Sequence, residues 1–209
     1  MALQDLLDLS QSRKKLGLSE ERVRAIIPEA RKFISFWREY PDLFIDFLVR
    51  GTRQEPKEGE FKFYFYQRVF LRAAMRHQYL YAVFPRAYSK SFLTIMTLMC
   101  RCVLYPRCRL FVTSGGKEQA AGIIKEKVQE ICTLIPAFKD EIDWGRGKTL
   151  EGKDYCKYVF KNESYFDNIA ARESSRGKRR HGGAIEECVG VDGTILSEVI
   201  IPRCWGLVA

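Results

Sequence analysis

Residues 79–104 contain two apolar segments on either side of a turn in which Lys90 and Ser91 stand side by side. The first segment, YLYAVF, predicts a buried strand, and residues 90–104 predict an apolar helix. Phosphate-binding loops have this arrangement, because a helix N-terminus offers unpaired N–H groups and the positive end of its dipole. The P-loop pattern G-x-x-x-x-G-K-[ST] has glycine where this chain has Phe84 and Ser89. The turn therefore fits either an altered nucleotide site or an ordinary turn that contains Lys-Ser.

The segments around this turn alternate between helix and strand patterns. Helices are predicted for FYQRVFLRAAMR and for residues 117–135, where apolar residues recur at helical spacing. Strands are predicted for RLFVTS (109–114), for GGAIEECVG, and for YCKYVFKN and YFDNIAA, which are joined by a turn at Glu163-Ser164. This order predicts an α/β layer fold with a mainly parallel sheet.

The first 50 residues read as helical, and a polar loop (50–60) follows them. Pro28 is expected to open a new helix and Pro41 a further short one, because proline is tolerated in a first helical turn. We therefore predict a helical N-terminal lead-in over residues 1–58 and a main domain over residues 59–209.

Two adjacent acids, Glu186 and Glu187, end the predicted strand in HGGAIEEC. Nucleotide hydrolases with an extra catalytic acid need one acid for the Mg²⁺ site and another that acts on the attacking water. Neighbouring side chains on a strand point to opposite faces, but at the carboxyl end of a strand they can turn toward the same crevice. An exposed Glu-Glu pair in a turn is the alternative.

The charge distribution favours a polyanionic partner. The net charge is +9, and no acidic residue occurs between Glu60 and Glu118. A second basic cluster, RESSRGKRRH, ends with the run 178–180, which either touches DNA phosphates or is a solvated face. Seven cysteines without a C-x-x-C pair do not favour a zinc site. No secretory signal or long apolar run is present, so a soluble intracellular protein is expected.

In order along the chain, these segments resemble the ATPase domain of tailed-phage terminase large subunits, which are DNA-packaging motors. The resemblance spans roughly residues 40–200 and is carried by FYQRVFL, FPRAYSKS, LFVTSGGKEQA and VFKNESYFDNIAARESSRGKRR running into GGAIEE. In that family the phosphate loop carries an arginine in place of the first glycine, which Arg86 matches. Ser89 and Glu186 depart from the family, which has glycine and usually aspartate there. The resemblance implies a P-loop NTPase three-layer sandwich that binds ATP and Mg²⁺.

The resemblance also implies roles for individual residues. Gln67 would contact adenine. Glu187 would act on water, with Glu186 as the alternative for that role. Arg86 would sense phosphate, and Arg176 would reach a neighbour's γ-phosphate or fix its loop to the sheet. Ser91 and Glu186 would hold Mg²⁺. The loop residues expected to bind nucleotide are Arg86, Ala87, Tyr88, Ser89, Lys90 and Ser91.

The partners implied by the resemblance are double-stranded DNA, a portal protein, a small terminase subunit and further copies in a ring, with no membrane, in the cytoplasm of an infected bacterium. The family's coupling segment and nuclease would follow Ala209, so the chain is expected to be a fragment that does not cut DNA. Two alternatives stay open: a helicase-like ATPase of superfamily 2, and a non-enzymatic DNA-binding or assembly module with a degenerate nucleotide site.

Overall fold

The computed structural model describes residues 20–170, 180–195 and 207–208. The helices are α1 (Glu20–Glu39), α2 (Pro41–Arg50), α3 (Phe65–Arg76), α4 (Lys90–Leu104), α5 (Lys117–Leu134), α6 (Pro136–Glu141) and the short α7 (Gly193–Ile195), which follows a 3₁₀ turn (Cys188–Gly190). The strands are β1 (Leu80–Tyr81), β2 (Arg109–Thr113), β3 (Leu150–Glu151), β4 (Cys156–Val159), β5 (Tyr165–Asn168), β6 (Gly182–Ile185) and β7 (Leu207–Val208).

The described strands form one sheet in the order β1-β7-β6-β2-β5-β4-β3. Across the sheet, the first five strands (β1, β7, β6, β2 and β5) pair in parallel. The strand β4 pairs antiparallel with both β5 and β3. The predicted α/β fold with a mainly parallel sheet is confirmed. The predicted β4–β5 hairpin is also present, and Glu163 in its turn has a φ of 66°.

The larger core lies between one face of the sheet and the helices. Leu110 and Val112 of β2 point into it, together with buried side chains of α3, α4 and α5. The intervening Phe111 points to the opposite face, where it forms a smaller cluster with Ile169, Ile185 and Val191. This alternation follows from the two-residue period of a strand. The turn at residues 188–195 covers part of this second face.

Gly183 is needed for the contact between β2 and β6. Phe111 lies opposite Gly183 in the parallel register. A Cβ added at Gly183 would lie 2.3 Å from the Phe111 ring, well inside van der Waals contact. The second glycine of HGGAIEE therefore makes room within the sheet for an aromatic ring.

The N-terminal helices differ from the prediction at Pro28. The helix α1 continues through this residue instead of restarting at it. Pro28 is exposed, so the carbonyl that loses its hydrogen bond can be solvated by water. The helix α2 begins at Pro41 as predicted.

An ion cluster joins α2 to α3. Buried Asp42 accepts hydrogen bonds from Arg72 Nε at 2.7 Å and from Arg68 Nη1 at 3.0 Å, and Asp46 accepts another from Arg68 Nη1 at 2.8 Å. Burial raises the pKa of Asp42, but the hydrogen bonds from the two arginines outweigh it and hold that pKa below its usual value. The cluster ties the predicted lead-in to the main domain across residue 58, the boundary that we predicted.

The strand β1 is shorter and more exposed than predicted. Only Leu80 and Tyr81 pair, and Tyr81 and Val83 are 66% and 78% exposed. Within the described part of the sheet β1 is an edge strand, so it has one strand neighbour and less cover than β2. The prediction of a buried strand over residues 79–84 was therefore wrong in length and burial. None of the described helices is long and apolar enough to cross a membrane.

Candidate phosphate-binding site

The loop between β1 and α4 has a constrained backbone. Ala87 and Ser89 have φ values of 65° and 54°, in the left-handed region that glycine adopts most easily. Ser89 is the N-cap residue of α4, and its carbonyl accepts the first helical bond, from Leu93 N at 2.9 Å. The first-turn N–H groups of α4 have no acceptors within the helix, so they are available to an anion at this end.

The predicted nucleotide-binding residues of the loop, from Arg86 to Ser91, line one cavity of about 470 Å³, whereas Gln67, Glu186 and Glu187 are not among its lining residues. Its wall runs from Phe84 to Phe92, and Lys127 and Glu130 of α5 complete it. Arg86 and Tyr88 are exposed at its rim.

Lys90 and Ser91 meet the first of the two acids. Ser91 Oγ donates a hydrogen bond to Glu186 Oε2 at 3.1 Å, and Lys90 Nζ lies 3.6 Å from the same oxygen. Glu186 directly follows β6, and α4 begins at Lys90, so the carboxyl end of a strand faces a helix N-terminus. The structure thus brings the adjacent pair Lys90 and Ser91 to Glu186, which lies 95 positions after Ser91 in the sequence.

The second carboxylate oxygen of Glu186 lacks a partner. Glu186 is fully buried, and its Oε1 makes no hydrogen bond within the described part of the chain. A buried carboxylate oxygen without a partner is costly. A hydroxyl beside such a carboxylate offers the hard oxygen ligands that Mg²⁺ prefers, and the residues present therefore fit this cation.

Glu187 turns away from Glu186. Its φ of 53° ends the strand geometry, and its side chain is exposed. Glu187 Oε2 accepts a hydrogen bond from Gln119 Nε2 at 3.1 Å. Gln119 lies in the first turn of α5, so it too comes from the carboxyl edge of the sheet. Gln119 was not predicted from the sequence, in which its place at the start of the helix after β2 was the one available signal.

Gln67 is buried and already engaged. Its Oε1 accepts a hydrogen bond from the Tyr64 backbone N–H at 2.9 Å, and its Nε2 lies 3.5 Å from Tyr66 Oη. The rings of Tyr66 and Tyr88 have centroids 5.3 Å apart, which connects the start of α3 to the phosphate loop. The adenine contact predicted for Gln67 stays a prediction.

Arg176, which was predicted to reach a neighbour's γ-phosphate or to fix its loop to the sheet, lies outside the described residues, as do Arg172, Lys178 and Arg179 of the second basic cluster. Arg180, the last residue of the run 178–180, is described. It forms a buried ion pair with Asp167 of β5 at 2.6 Å, and its guanidinium lies over the Tyr165 ring. Arg180 thus has a structural partner at the opposite, amino edge of the parallel strands.

Solved structures of phage terminases share this fold. The ATPase domain of the Thermus phage P74-26 large terminase superposes with a TM-score of 0.54 at 16% identity, covering 71% of this chain and 64% of that chain. The HK97 bacteriophage large terminase superposes with a TM-score of 0.56 at 17% identity, covering 82% of this chain and 36% of that one.

The resemblance to terminase large-subunit ATPase domains is thus confirmed at the level of fold. No protein family and no curated protein matches the chain by sequence. The chain spans less than two thirds of the length of either solved relative.

Proposed function

We propose that this chain is the ATPase domain of a phage large terminase, and that it binds Mg-ATP and couples ATP hydrolysis to the translocation of double-stranded DNA. The observation that carries this proposal is the contact of Lys90 and Ser91 with buried Glu186 at the N-terminus of α4. The shared fold supports the same function. A portal protein, a small terminase subunit, a ring of copies and the host cytoplasm belong to the proposal through the family.

The phosphates of ATP are proposed to bind between the loop and the first turn of α4. Lys90 supplies a positive charge for the β- and γ-phosphates, and the N–H groups of the helix start donate to phosphate oxygens. The ammonium group lies 3.6 Å from Glu186 Oε2, and this carboxylate balances its charge. Arg86, exposed on the same cavity, is placed to meet a phosphate without first breaking an ion pair with any described residue.

Ser91 and Glu186 are the residues that would hold Mg²⁺. When bound, this cation neutralises charge on the β- and γ-phosphate oxygens. Ser91 Oγ and both Glu186 oxygens are the ligand atoms that these two residues offer, to the ion or to its water shell. The orphaned Glu186 Oε1 supports this assignment, because a cation site removes the cost of burying it unpaired.

Glu187 is proposed to orient the attacking water and to accept its proton. Its exposed carboxylate follows the residue proposed to hold Mg²⁺, at the carboxyl edge of the sheet. The Gln119 amide donates a hydrogen bond to Glu187 Oε2, which fixes the direction of this carboxylate. Tyr88 and Tyr66 form an aromatic surface on the side where Gln67 is expected to contact the base.

The proposal is tested by calorimetric titration with Mg²⁺ and a slowly hydrolysed ATP analogue. Lys90→Ala is expected to abolish saturable binding that the wild type shows. The matched control is Lys125→Ala, which removes an exposed lysine from α5. Thermal unfolding of both variants checks that they are folded. A folded wild type that binds no nucleotide, or binding that Lys90→Ala leaves intact, contradicts the proposal and favours the non-enzymatic DNA-binding or assembly module.

A further inference from the structure

A second cavity lies at the amino edge of the parallel strands, opposite the phosphate loop. Its volume is about 1140 Å³, and it is formed where α3 and α4 end and where β2 and β6 begin. Of the described residues that line it, none is acidic and two are histidines. The charged residues in its lining are the arginines Arg76, Arg101, Arg107, Arg109 and Arg180. We call these five residues the arginine cluster.

Nearby acids neutralise the arginine cluster only in part. Glu39 lies 3.3 Å from Arg76, and Glu163 lies 3.0 Å from Arg107, both in solvent-exposed pairs. The third acid, Asp167, pairs with Arg180. Exposed pairs of this kind hold weakly, so an anion can replace the carboxylate.

Two members of the arginine cluster have no carboxylate partner among the described residues. The Arg101 guanidinium donates to the Ala74 carbonyl at 2.8 Å, which leaves its charge uncompensated. The Arg109 side chain is exposed, and no described side chain pairs with it. The cavity therefore carries a net positive charge that the described acidic residues do not balance.

The turn that carries Arg107 and Arg109 is rigid. Asn162 Nδ2, which is buried, donates to the carbonyls of Cys102 and Val103, at 2.7 and 3.1 Å. Ser164 Oγ donates to the Tyr105 carbonyl at 2.8 Å and accepts from Cys108 N at 3.1 Å. A surface that is fixed before binding loses less entropy when a ligand binds.

We propose that the arginine cluster binds the phosphate backbone of double-stranded DNA. Guanidinium groups donate in a planar fork that matches phosphate oxygens, and arginine is the side chain that most often serves this contact. An open cavity with several separate cations suits a linear polyanion better than a single small anion. The inference rests on the proposed function for the choice of DNA as the polyanion, and it adds the surface that contacts it.

The test measures binding of a fluorescently labelled 30-base-pair duplex over a range of salt concentrations. The variant is Arg107→Asn with Arg109→Gln. Asparagine is chosen because Arg107 has a φ of 57°, a conformation that asparagine tolerates. The control is Lys125→Gln with Lys139→Gln, which removes two exposed lysine charges from α5 and α6.

At about 0.1 M salt the arginine variant is expected to bind the duplex about tenfold more weakly or worse. The slope of log affinity against log salt should decrease in magnitude by about 2, one for each lost phosphate contact. The control should bind within about twofold of the wild type, because its lysines lie away from the cavity. Arg109→Lys should retain most of the affinity that Arg109→Gln loses, because affinity for the phosphate backbone depends mainly on the number of positive charges.

An arginine variant that binds like the control overturns the inference. So does displacement of the duplex by inorganic tripolyphosphate, or by polyglutamate, at equal charge concentration, because the site would then bind a small anion or an acidic protein. Calorimetry with the Mg-ATP analogue separates this inference from the proposed function. A chain that binds nucleotide but no duplex overturns this inference and leaves the proposed nucleotide site standing. A chain that binds the duplex but no nucleotide contradicts the proposed function and leaves only the arginine cluster.

Discussion

Replacing Ser89 with glycine should stabilise the protein, although this residue begins the helix that carries the candidate site. Ser89 has a φ of 54° and a ψ of 26°, and its side chain makes no capping hydrogen bond. An L-residue in this left-handed conformation costs about 1–2 kcal/mol relative to glycine. Glycine gives back about 0.4–1 kcal/mol of this through the greater freedom of the unfolded chain. The net gain expected for Ser89→Gly is about 0.5–1 kcal/mol.

Thermal unfolding by circular dichroism measures this gain. In a domain of this size 1 kcal/mol moves Tm by about 2–4 °C, so Tm should rise by about 1–4 °C. Ala87→Gly should act in the same direction, because Ala87 has a φ of 65°. Ser89→Ala is the control, and it should change Tm little, since alanine meets the same strain and no capping bond is lost.

A Tm that falls with Ser89→Gly, or that rises equally with Ser89→Ala, would refute this account of the loop. Nucleotide binding gives an independent check. If the left-handed turn is the binding conformation, Ser89→Gly should bind the Mg-ATP analogue at least as tightly as the wild type, because glycine adopts that turn without strain. Weaker binding in a folded variant would mean that the serine side chain itself contacts the nucleotide.

Three further changes test the core, the ion cluster and the chemistry. Gly183→Ala should lower stability to urea by about 2 kcal/mol or more, because its Cβ would overlap the Phe111 ring, whereas Gly122→Ala, with open space on α5, should be neutral or stabilising. Asp42→Asn should cost about 3 kcal/mol near neutral pH. Folding lowers the pKa of Asp42, so the stabilisation from its carboxylate is fully present above about pH 4, the pKa of this group in the unfolded chain, and is lost as pH falls through the folded pKa. Below about pH 4 the urea midpoint of Asp42→Asn should therefore depend less on pH than that of the wild type. Glu187→Gln should lower the rate of ATP hydrolysis by about 10²–10⁴-fold in a phosphate-release assay while calorimetry shows unchanged analogue binding, and equal losses in both would contradict its role on water.

The sequence predicted the elements with strong periodicity and missed those that depend on neighbours. The helices α4 and α5 and the β4–β5 hairpin lie where the apolar spacing placed them. The strand β1 was misjudged because its residue types are those of a buried strand, while its burial depends on which strands flank it. Pro28 was misjudged because the sequence does not reveal that α1 continues through it with this residue facing solvent.

The same limit applies to the site. The spacing of Lys90, Ser91 and Glu186 could be tied to a phosphate loop because each residue lies next to a predicted strand or helix end. The partner of Glu187 could not be predicted, because Glu187 leaves the strand through a backbone turn with a φ of 53°. That turn directs the two adjacent acids to different partners, with Glu186 at the start of α4 and Glu187 at Gln119 on α5.

Backbone strain in this protein concentrates at the two proposed binding sites. The described non-glycine residues with positive φ are Ala87, Ser89, Arg107, Glu163 and Glu187. Three of them belong to the candidate nucleotide site, and Arg107 belongs to the arginine cluster. Such conformations cost free energy and persist where the surrounding structure enforces them, which is frequent at functional sites. Their placement at opposite edges of one sheet supports a division in which the carboxyl edge binds nucleotide and the amino edge binds DNA.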